Sequence, residues 1–146
     1  MPLELWTIGH SNRIWKEFLS LLKECRIEGL VDVRRFPTSK WSHFTAEALR
    51  RLLADEGIEY LHVEGLGGYR GGYEAYMGGR EFEEALGQLI SEASERRTVI
   101  MCAEKLFFRC HRRHIADAIV ARGGHVYHIL DSGRGQVHHA LEKTTG

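Results

Sequence analysis

Residues 98–130 read TVIMCAEKLFFRCHRRHIADAIVARGGHVYHIL, and this stretch decides the fold. Its first four residues, a threonine followed by three apolar residues, predict a buried strand, and Ile115, Ala118 and Ile119 then recur at helical spacing. The pair of glycines at 123–124 predicts the end of that helix, and residues 125–130 predict another strand. A strand, a helix and a further strand in this order are typical of a parallel α/β sheet.

The same alternation runs through the rest of the chain, with predicted strands at 5–8, 30–33 and 58–63. Thr45 is expected to cap the helix that precedes the third strand, and Gly57 is expected to follow that helix. We therefore predict a single α/β domain over residues 1–146, with a mostly parallel sheet of about five strands and helices on both faces. Residues 131–146 lack clear periodicity and are expected to form a peripheral tail.

The composition is that of an ordinary globular protein, with 43% hydrophobic and 27% charged residues. No apolar run is long enough to span a bilayer, and the first residues do not resemble a signal peptide, so we expect a cytoplasmic protein without a membrane partner. Lysine plus arginine and aspartate plus glutamate number 20 each, so anion binding must come from local clusters. Three cysteines suit reduced thiols better than a disulfide framework. The composition does not predict an oligomeric state.

Ligands of parallel α/β sheets bind beyond the carboxyl ends of the strands. Four segments are predicted to meet at that edge: residues 9–12, residues 32–35, the glycine- and tyrosine-rich loop at 65–79, and the turn at 102–113. The turn holds two thiols, a carboxylate, an imidazole and several arginines. We expect Cys102, Glu104, Cys110 and His10 to supply the nucleophile and the acid and base groups of a reaction. The opposing interpretation treats both cysteines as small buried hydrophobic residues.

The arginines and the predicted helix start also favour an anionic ligand. The expected substrate contacts are Arg34, Arg109, His111, Arg112, Asp32, Ser11 and Tyr69. Some of these have simpler explanations: Asp32 and Arg34 can form a buried ion pair, Ser11 can cap a helix, and the loop around Tyr69 can reflect packing alone. Zinc or iron at Cys102, Cys110 and His111 is chemically possible, but the spacing matches no zinc pattern, so we predict neither cofactor nor metal.

Several short motifs occur in a fixed order along the chain. They are Thr7-Ile8-Gly9-His10-Ser11, Val31-Asp32-Val33-Arg34 with Pro37, Leu66-Gly67-Gly68, Met101-Cys102-Ala103-Glu104 and Cys110-His111-Arg112. Together they resemble domain-of-unknown-function family 488 over nearly the whole chain, up to about Ile129. The resemblance implies an α/β, Rossmann-like domain of bacteria and archaea with a cysteine/histidine/arginine site and no established reaction. Residues 106–108 depart from the family, which often has an acidic residue and a proline there, and make the entrance more apolar.

Three functions fit these observations. The first is an enzyme that binds a phosphate-bearing, nucleotide or nucleic-acid substrate at the turn, with no reaction class assigned. The second is thiol sulfur transfer, because the strand-end Asp-Val-Arg and the cysteine turn also resemble rhodanese domains. The loop of cysteine phosphatases is less similar, since Cys102 and Arg109 are one residue too far apart for it. The third is a noncatalytic module that binds nucleic acid or protein through Arg35, Lys40, Trp41 and Tyr69.

Overall fold

The computed structural model describes residues 3–67, 77, 79–107 and 110–139. The strands are β1 (Glu4–Gly9), β2 (Gly29–Asp32), β3 (Glu59–His62), β4 (Thr98–Cys102), β5 (His125–Asp131) and β6 (Arg134–Val137). The α-helices in the described residues are α1 (Trp15–Glu24), α2 (Ala46–Ala54), α3 (Arg80–Glu95) and α4 (Arg112–Ala121), and short 3-10 turns cover Ser42–Phe44 and Glu64–Leu66. None of these helices is both long and apolar enough to cross a membrane.

The six strands form one sheet in the order β3-β2-β4-β1-β5-β6. All neighbouring strands run parallel except β5 and β6, which form an antiparallel pair. The predicted α/β class with a mostly parallel sheet is thus confirmed. The strand order differs from the 3-2-1-4-5-6 order of the Rossmann fold, so the narrower Rossmann-like description is not confirmed.

Strand β6 was not predicted, because it lies in the segment that we expected to be a peripheral tail. All four of its residues are exposed, so the strand has no buried face to produce an alternating pattern in the sequence. Its backbone pairs with β5 from Tyr127 to Asp131 and closes one side of the sheet.

Helices cover both faces of the sheet, as predicted. On the first face, Phe18 and Leu22 of α1 and Leu49 of α2 pack in one core cluster with Ile8 of β1. On the second face, α3 and α4 pack against the sheet around Val31 in a separate cluster. We call these the α1/α2 face and the α3/α4 face.

The connections after β1 and β4 leave the sheet in opposite directions, although the two strands are neighbours. The chain passes from β1 to α1 on the α1/α2 face, and from β4 to the turn before α4 on the α3/α4 face. Such a reversal opens a crevice at the carboxyl ends of the two strands, where α/β proteins bind their ligands. Gly9 and Cys102 are paired at this point.

The sequence signals at two helix ends are confirmed. The Thr45 hydroxyl accepts a hydrogen bond from the Ala48 N–H at 3.3 Å, and this satisfies one free donor of the first turn of α2. Gly123 follows α4 with a φ of +85°, a conformation that residues with a Cβ rarely adopt.

Candidate functional site

The polar segments that follow β1, β2 and β4 lie at the same edge of the sheet. Backbone pairing of β1 with β4 continues past the strand ends, since the His10 N–H donates to the Cys102 carbonyl at 2.8 Å. On the other side of β4, the Val33 N–H donates to the Met101 carbonyl at 3.0 Å. The residues after these strands are therefore fixed relative to one another.

Side chains alternate between the faces of a strand, and this divides the expected site into two clusters. Cys102 belongs to the core of the α3/α4 face, where Cys110 packs beside it. The His10 ring instead stacks on Phe44, which belongs to the core of the α1/α2 face. We call Cys102, Cys110, His111 and Arg112 the thiol cluster, and His10, Asp32, Arg34 and Tyr60 the ion-pair cluster.

The sulfur atoms of Cys102 and Cys110 lie 2.7 Å apart, and both cysteines are free thiols. Burial and the hydrogen bond with Cys110 raise the pKa of Cys102 well above that of an ordinary thiol. The hydrogen bond from Cys102 and the neighbouring His111 and Arg112 lower the pKa of Cys110. These opposite shifts make Cys110 the more acidic of the two thiols and favour a shared proton on the Cys102 side of the pair.

Two further groups lie against the Cys110 sulfur. The Arg112 backbone N–H, at the start of α4, donates to this sulfur at 3.5 Å, so the free donors of the helix N-terminus favour the thiolate. The His111 Nδ1 atom lies 3.7 Å from the same sulfur. Because His111 Nε2 lies 2.9 Å from the Val33 carbonyl, which can only accept, Nε2 carries a proton. Nδ1 faces the Cys110 sulfur, so it can take up the thiol proton and then donate a hydrogen bond to the thiolate.

Arg112 is fully buried, and its guanidinium is bonded to the protein itself. It donates to the Thr7 hydroxyl at 3.1 Å and to the carbonyls of Glu104 and Lys105 at 2.6 and 3.2 Å. The Cys102 thiol contacts the same Glu104 carbonyl at 3.6 Å. The Glu104 carboxylate is exposed and accepts the Leu106 N–H, so Glu104 meets the thiol cluster through its backbone.

Gly9 allows β1 to approach the cysteine turn closely. A Cβ atom at this position would overlap the carbonyl oxygen of Glu104, a backbone atom that cannot rotate away. That carbonyl also accepts the bond from Arg112 and contacts the Cys102 sulfur, so the absence of a side chain at Gly9 is a condition for the geometry of the thiol cluster.

We expect Gly9→Ala to lower the free energy of unfolding by about 2–3 kcal/mol, because the new methyl group must displace the Glu104 backbone. Chemical denaturation monitored by circular dichroism measures the effect. Gly87→Ala is the matched control: nothing lies within 4 Å of its Cβ in α3, and this change is expected to stabilise by about 0.5–1 kcal/mol. Equal stability of the two variants would contradict the proposed contact.

The ion-pair cluster is buried on the α1/α2 face. Arg34 donates to both carboxylate oxygens of Asp32, at 2.8 and 2.6 Å, and the Tyr60 hydroxyl donates to the second oxygen at 2.6 Å. The remaining guanidinium nitrogen of Arg34 donates to the Phe44 carbonyl at 2.7 Å. Of the two explanations of Asp32 and Arg34, the geometry therefore favours the buried ion pair over a ligand clamp.

His10 faces this ion pair. Its Nδ1 donates to the Ser11 carbonyl at 2.9 Å, and its Nε2 lies 3.4 Å from an Arg34 nitrogen. Burial lowers the pKa of His10 to about 4, so the ring is neutral near pH 7. Within the described residues, the hydrogen bonds of the His10 side chain connect it to the ion-pair cluster and not to either thiol.

Three other expected site residues have different outcomes. Ser11 does not cap α1, because that helix begins at Trp15 with Ile14 at its N-cap, and Ser11 instead adopts a φ of +46° in the preceding turn. Arg109 and Tyr69 lie outside the described residues, together with most of the glycine- and tyrosine-rich loop. Their predicted contacts with substrate therefore stay predictions.

A row of hydrogen-bonded polar side chains behind Arg112 was not predicted from the sequence. Thr7 bonds to His128 at 2.6 Å, His128 bonds to His138 at 2.8 Å, and His138 bonds to Asp117 at 2.6 Å. His138 lies in the segment that was expected to form a peripheral tail, but its side chain is only 8% exposed. Because side chains alternate along a strand, His128 lies on the same face of β5 as Val126, and this pattern could have predicted that His128 is buried. No local sequence pattern predicts the partner of His138.

A metal at the cysteine turn would need its two sulfur ligands further apart. Thiolates bound to one tetrahedral zinc at about 2.3 Å are separated by about 3.7 Å, whereas these sulfurs are 2.7 Å apart. Within the part of the chain that the structure describes, no three histidine, cysteine, aspartate or glutamate side chains are grouped to hold a metal ion.

Comparisons with known proteins place the chain in a family. No curated protein and no solved structure matches the chain significantly. The family model "Domain of unknown function DUF488" matches residues 14–119, which is more than half of the 146 residues and includes both site cysteines. The chain therefore belongs to the DUF488 family.

Proposed function

We propose that this protein is a thiol enzyme that reacts with sulfur–sulfur bonds, with Cys110 as the nucleophile and Cys102 as the resolving thiol. The observation that carries the proposal is the pair of sulfurs 2.7 Å apart whose pKa values move in opposite directions. Two buried structural cysteines would both be protonated thiols, because burial raises a thiol pKa.

In the first step, the Cys110 thiolate attacks one sulfur of a disulfide. A bond forms between Cys110 and that sulfur, the substrate sulfur–sulfur bond breaks, and the other substrate sulfur leaves as a thiolate. The helix N-terminus and His111 favour the thiolate before attack. Before the reaction, Cys102 acts as a hydrogen-bond donor to Cys110.

In the second step, Cys102 attacks the Cys110 sulfur and releases the rest of the substrate as a second thiolate. The Cys102 proton is transferred to a leaving thiolate, and the protein is left with a Cys102–Cys110 disulfide. A dithiol reductant returns the pair to the reduced state, so the cycle transfers two electrons from that dithiol to the substrate.

Rhodanese-like sulfur transfer, expected from the sequence as an alternative, would use the same nucleophile. A persulfide on Cys110 would lie within reach of Cys102, which would discharge it as hydrosulfide and form the disulfide. The second thiol therefore favours disulfide chemistry over a stable persulfide carrier.

An anionic or nucleotide substrate stays a prediction. The guanidiniums of Arg34 and Arg112 bond to protein groups, and the start of α4 faces the Cys110 sulfur. Within the described residues, Arg34 pairs with the Asp32 carboxylate, and the start of α4 favours a thiolate on Cys110, so the proposal rests on the thiols and not on a phosphate. The noncatalytic binding module likewise stays an alternative that a lack of thiol reactivity would favour.

Alkylation mapped by mass spectrometry tests the proposal. At pH 6 we expect iodoacetamide to modify Cys110 at least ~10-fold faster than Cys25, since thiolate is the reactive form. Cys25 serves as an internal control because it is half-buried and burial raises its pKa. Cys102 should react slowly until Cys110 has been modified or the protein unfolds. Equal rates at Cys110 and Cys25 would reject a thiolate at Cys110 and the proposed function with it.

A further inference from the structure

A continuous row of hydrogen bonds connects the half-exposed carboxylate of Asp117 to the thiol cluster. From Asp117 it passes through His138 and His128 to the Thr7 hydroxyl, each link being 2.6–2.8 Å long. Thr7 in turn accepts the bond from Arg112 at 3.1 Å. Thr7 and His128 are fully buried, whereas the Asp117 side chain is 45% exposed. The row therefore extends from the surface to the site, and the chemistry of the thiols does not use it directly.

The direction of these bonds follows from the two ends of the row. At one end a carboxylate only accepts, so His138 Nε2 carries a proton. At the other end the Thr7 oxygen accepts from Arg112, so the Thr7 hydroxyl proton is donated to His128 Nδ1, and His138 Nδ1 is left to accept. His128 Nε2 then donates to His138, which leaves Nδ1 of a neutral His128 to accept from the Thr7 hydroxyl. The Thr7 hydroxyl thus donates its proton to His128, and the lone pairs of the Thr7 oxygen accept the bond from Arg112.

We propose that Asp117, His138 and His128 are positioning residues, which act through Thr7 and Arg112 to hold the carbonyls around the Cys102–Cys110 pair. Arg112 is the connection, because the same guanidinium that donates to Thr7 also donates to the Glu104 carbonyl that Cys102 contacts. This inference rests on the proposed function only in one respect: the proposed function gives the thiol pair a chemical role that positioning would serve.

The surroundings of His128 support neutral rings. The Phe107 ring stacks on it with the centroids 3.7 Å apart, so one face of the imidazole meets an apolar ring. Among the residues that the structure describes, the charged and titratable groups that face His128 are Arg112 from α4 and His138 from the segment after β6, and the Asp117 carboxylate bonds to His138. Burial is the main cause that lowers the pKa of His128 to about 3; the repulsion from any proton added to His138 and the positive charge of Arg112 act in the same direction.

Nitrogen NMR of the wild-type protein tests the direction of the row. At pH 7.5 we expect His128 to carry its proton on Nε2, with Nδ1 showing the shift of an unprotonated nitrogen that accepts a hydrogen bond. Protonated Nδ1 on His128 at this pH would overturn the proposal without any variant. Assignment is made by comparison with His128→Gln.

A pair of variants at the exposed end tests the effect on the thiols. Asp117→Leu removes the acceptor of His138, whereas Asp117→Asn removes the same charge but keeps an oxygen that can accept. We expect Asp117→Leu to raise the pH midpoint of Cys110 alkylation by ~0.5 units or more, with Asp117→Asn closer to wild type. Because both variants lose the charge, their difference measures the hydrogen bond.

Val126→Ala is the control for general destabilisation, since Val126 is buried in β5 on the α3/α4 face and lies outside the row. It should lower Tm without moving the alkylation midpoint. If both Asp117 variants have the wild-type midpoint, the row is structural only and the proposal fails. This inference is tested by the difference in alkylation midpoint between variants, whatever the wild-type value is. The proposed function is tested separately, because an unreactive Cys110 would reject it.

Discussion

Cys102→Ser is expected to stop the reaction with an aromatic disulfide at a stable mixed disulfide on Cys110. The wild-type protein should release a second aromatic thiolate as Cys102 attacks, because the two sulfurs are 2.7 Å apart. In the Cys102→Ser protein only the first thiolate should appear. Absorbance counts the released thiolate, and intact-mass spectrometry identifies the adduct.

Cys110→Ser should lose the fast phase entirely, with a rate at least ~100-fold lower, since a serine hydroxyl is far less nucleophilic than a thiolate. All measurements use a Cys25→Ala background, so that only the two site cysteines can react. If Cys110→Ser keeps the fast phase and Cys102→Ser loses it, the roles are reversed: Cys102 is the nucleophile and Cys110 is the resolving thiol. Fast release of both thiolates from Cys102→Ser would remove Cys102 from the mechanism.

The α/β class was predictable because the strands in the middle of the sheet have continuous apolar runs. Residues 98–102 of β4 are all buried, and they read as one uninterrupted apolar segment in the sequence. The strand order was not predictable, since it depends on which strands pair across long separations. Strand β6 was not predicted for a different reason. Its residues are exposed, and it is held in the sheet by backbone hydrogen bonds to β5.

The sequence predicted that the site residues lie at neighbouring strand ends. It was not used to predict that the thiol cluster and the ion-pair cluster lie on opposite faces of the sheet. A period of two places Cys102 and Val33 on one face and Asp32 on the other, and this could have been applied to the strand ends as well as to the core. The carbonyl partners of Arg112 and the partner of His138 depend on tertiary packing, and no local pattern encodes them.

Arg112→Ala is expected to lower the free energy of unfolding by about 3–5 kcal/mol, the scale of removing one partner from a buried charged network. The sequence alone suggested that Arg112 contacts the substrate. In the structure, the side chain is 1% exposed. Its removal leaves a cavity and takes the donors from the Thr7 hydroxyl and from two carbonyls of the cysteine turn.

Thermal and urea unfolding of three variants separates these explanations. Arg112→Lys keeps the charge but lacks the fork that reaches Thr7 and the Glu104 carbonyl together, so its loss should be intermediate. Arg113→Ala is the matched control, since its side chain is exposed beside the buried one and its effect should stay within about 0.5 kcal/mol. A folded Arg112→Ala protein with the Tm of wild type and a weakened affinity for phosphate would contradict the structural explanation, because it would show that the guanidinium serves a ligand and not the cysteine turn.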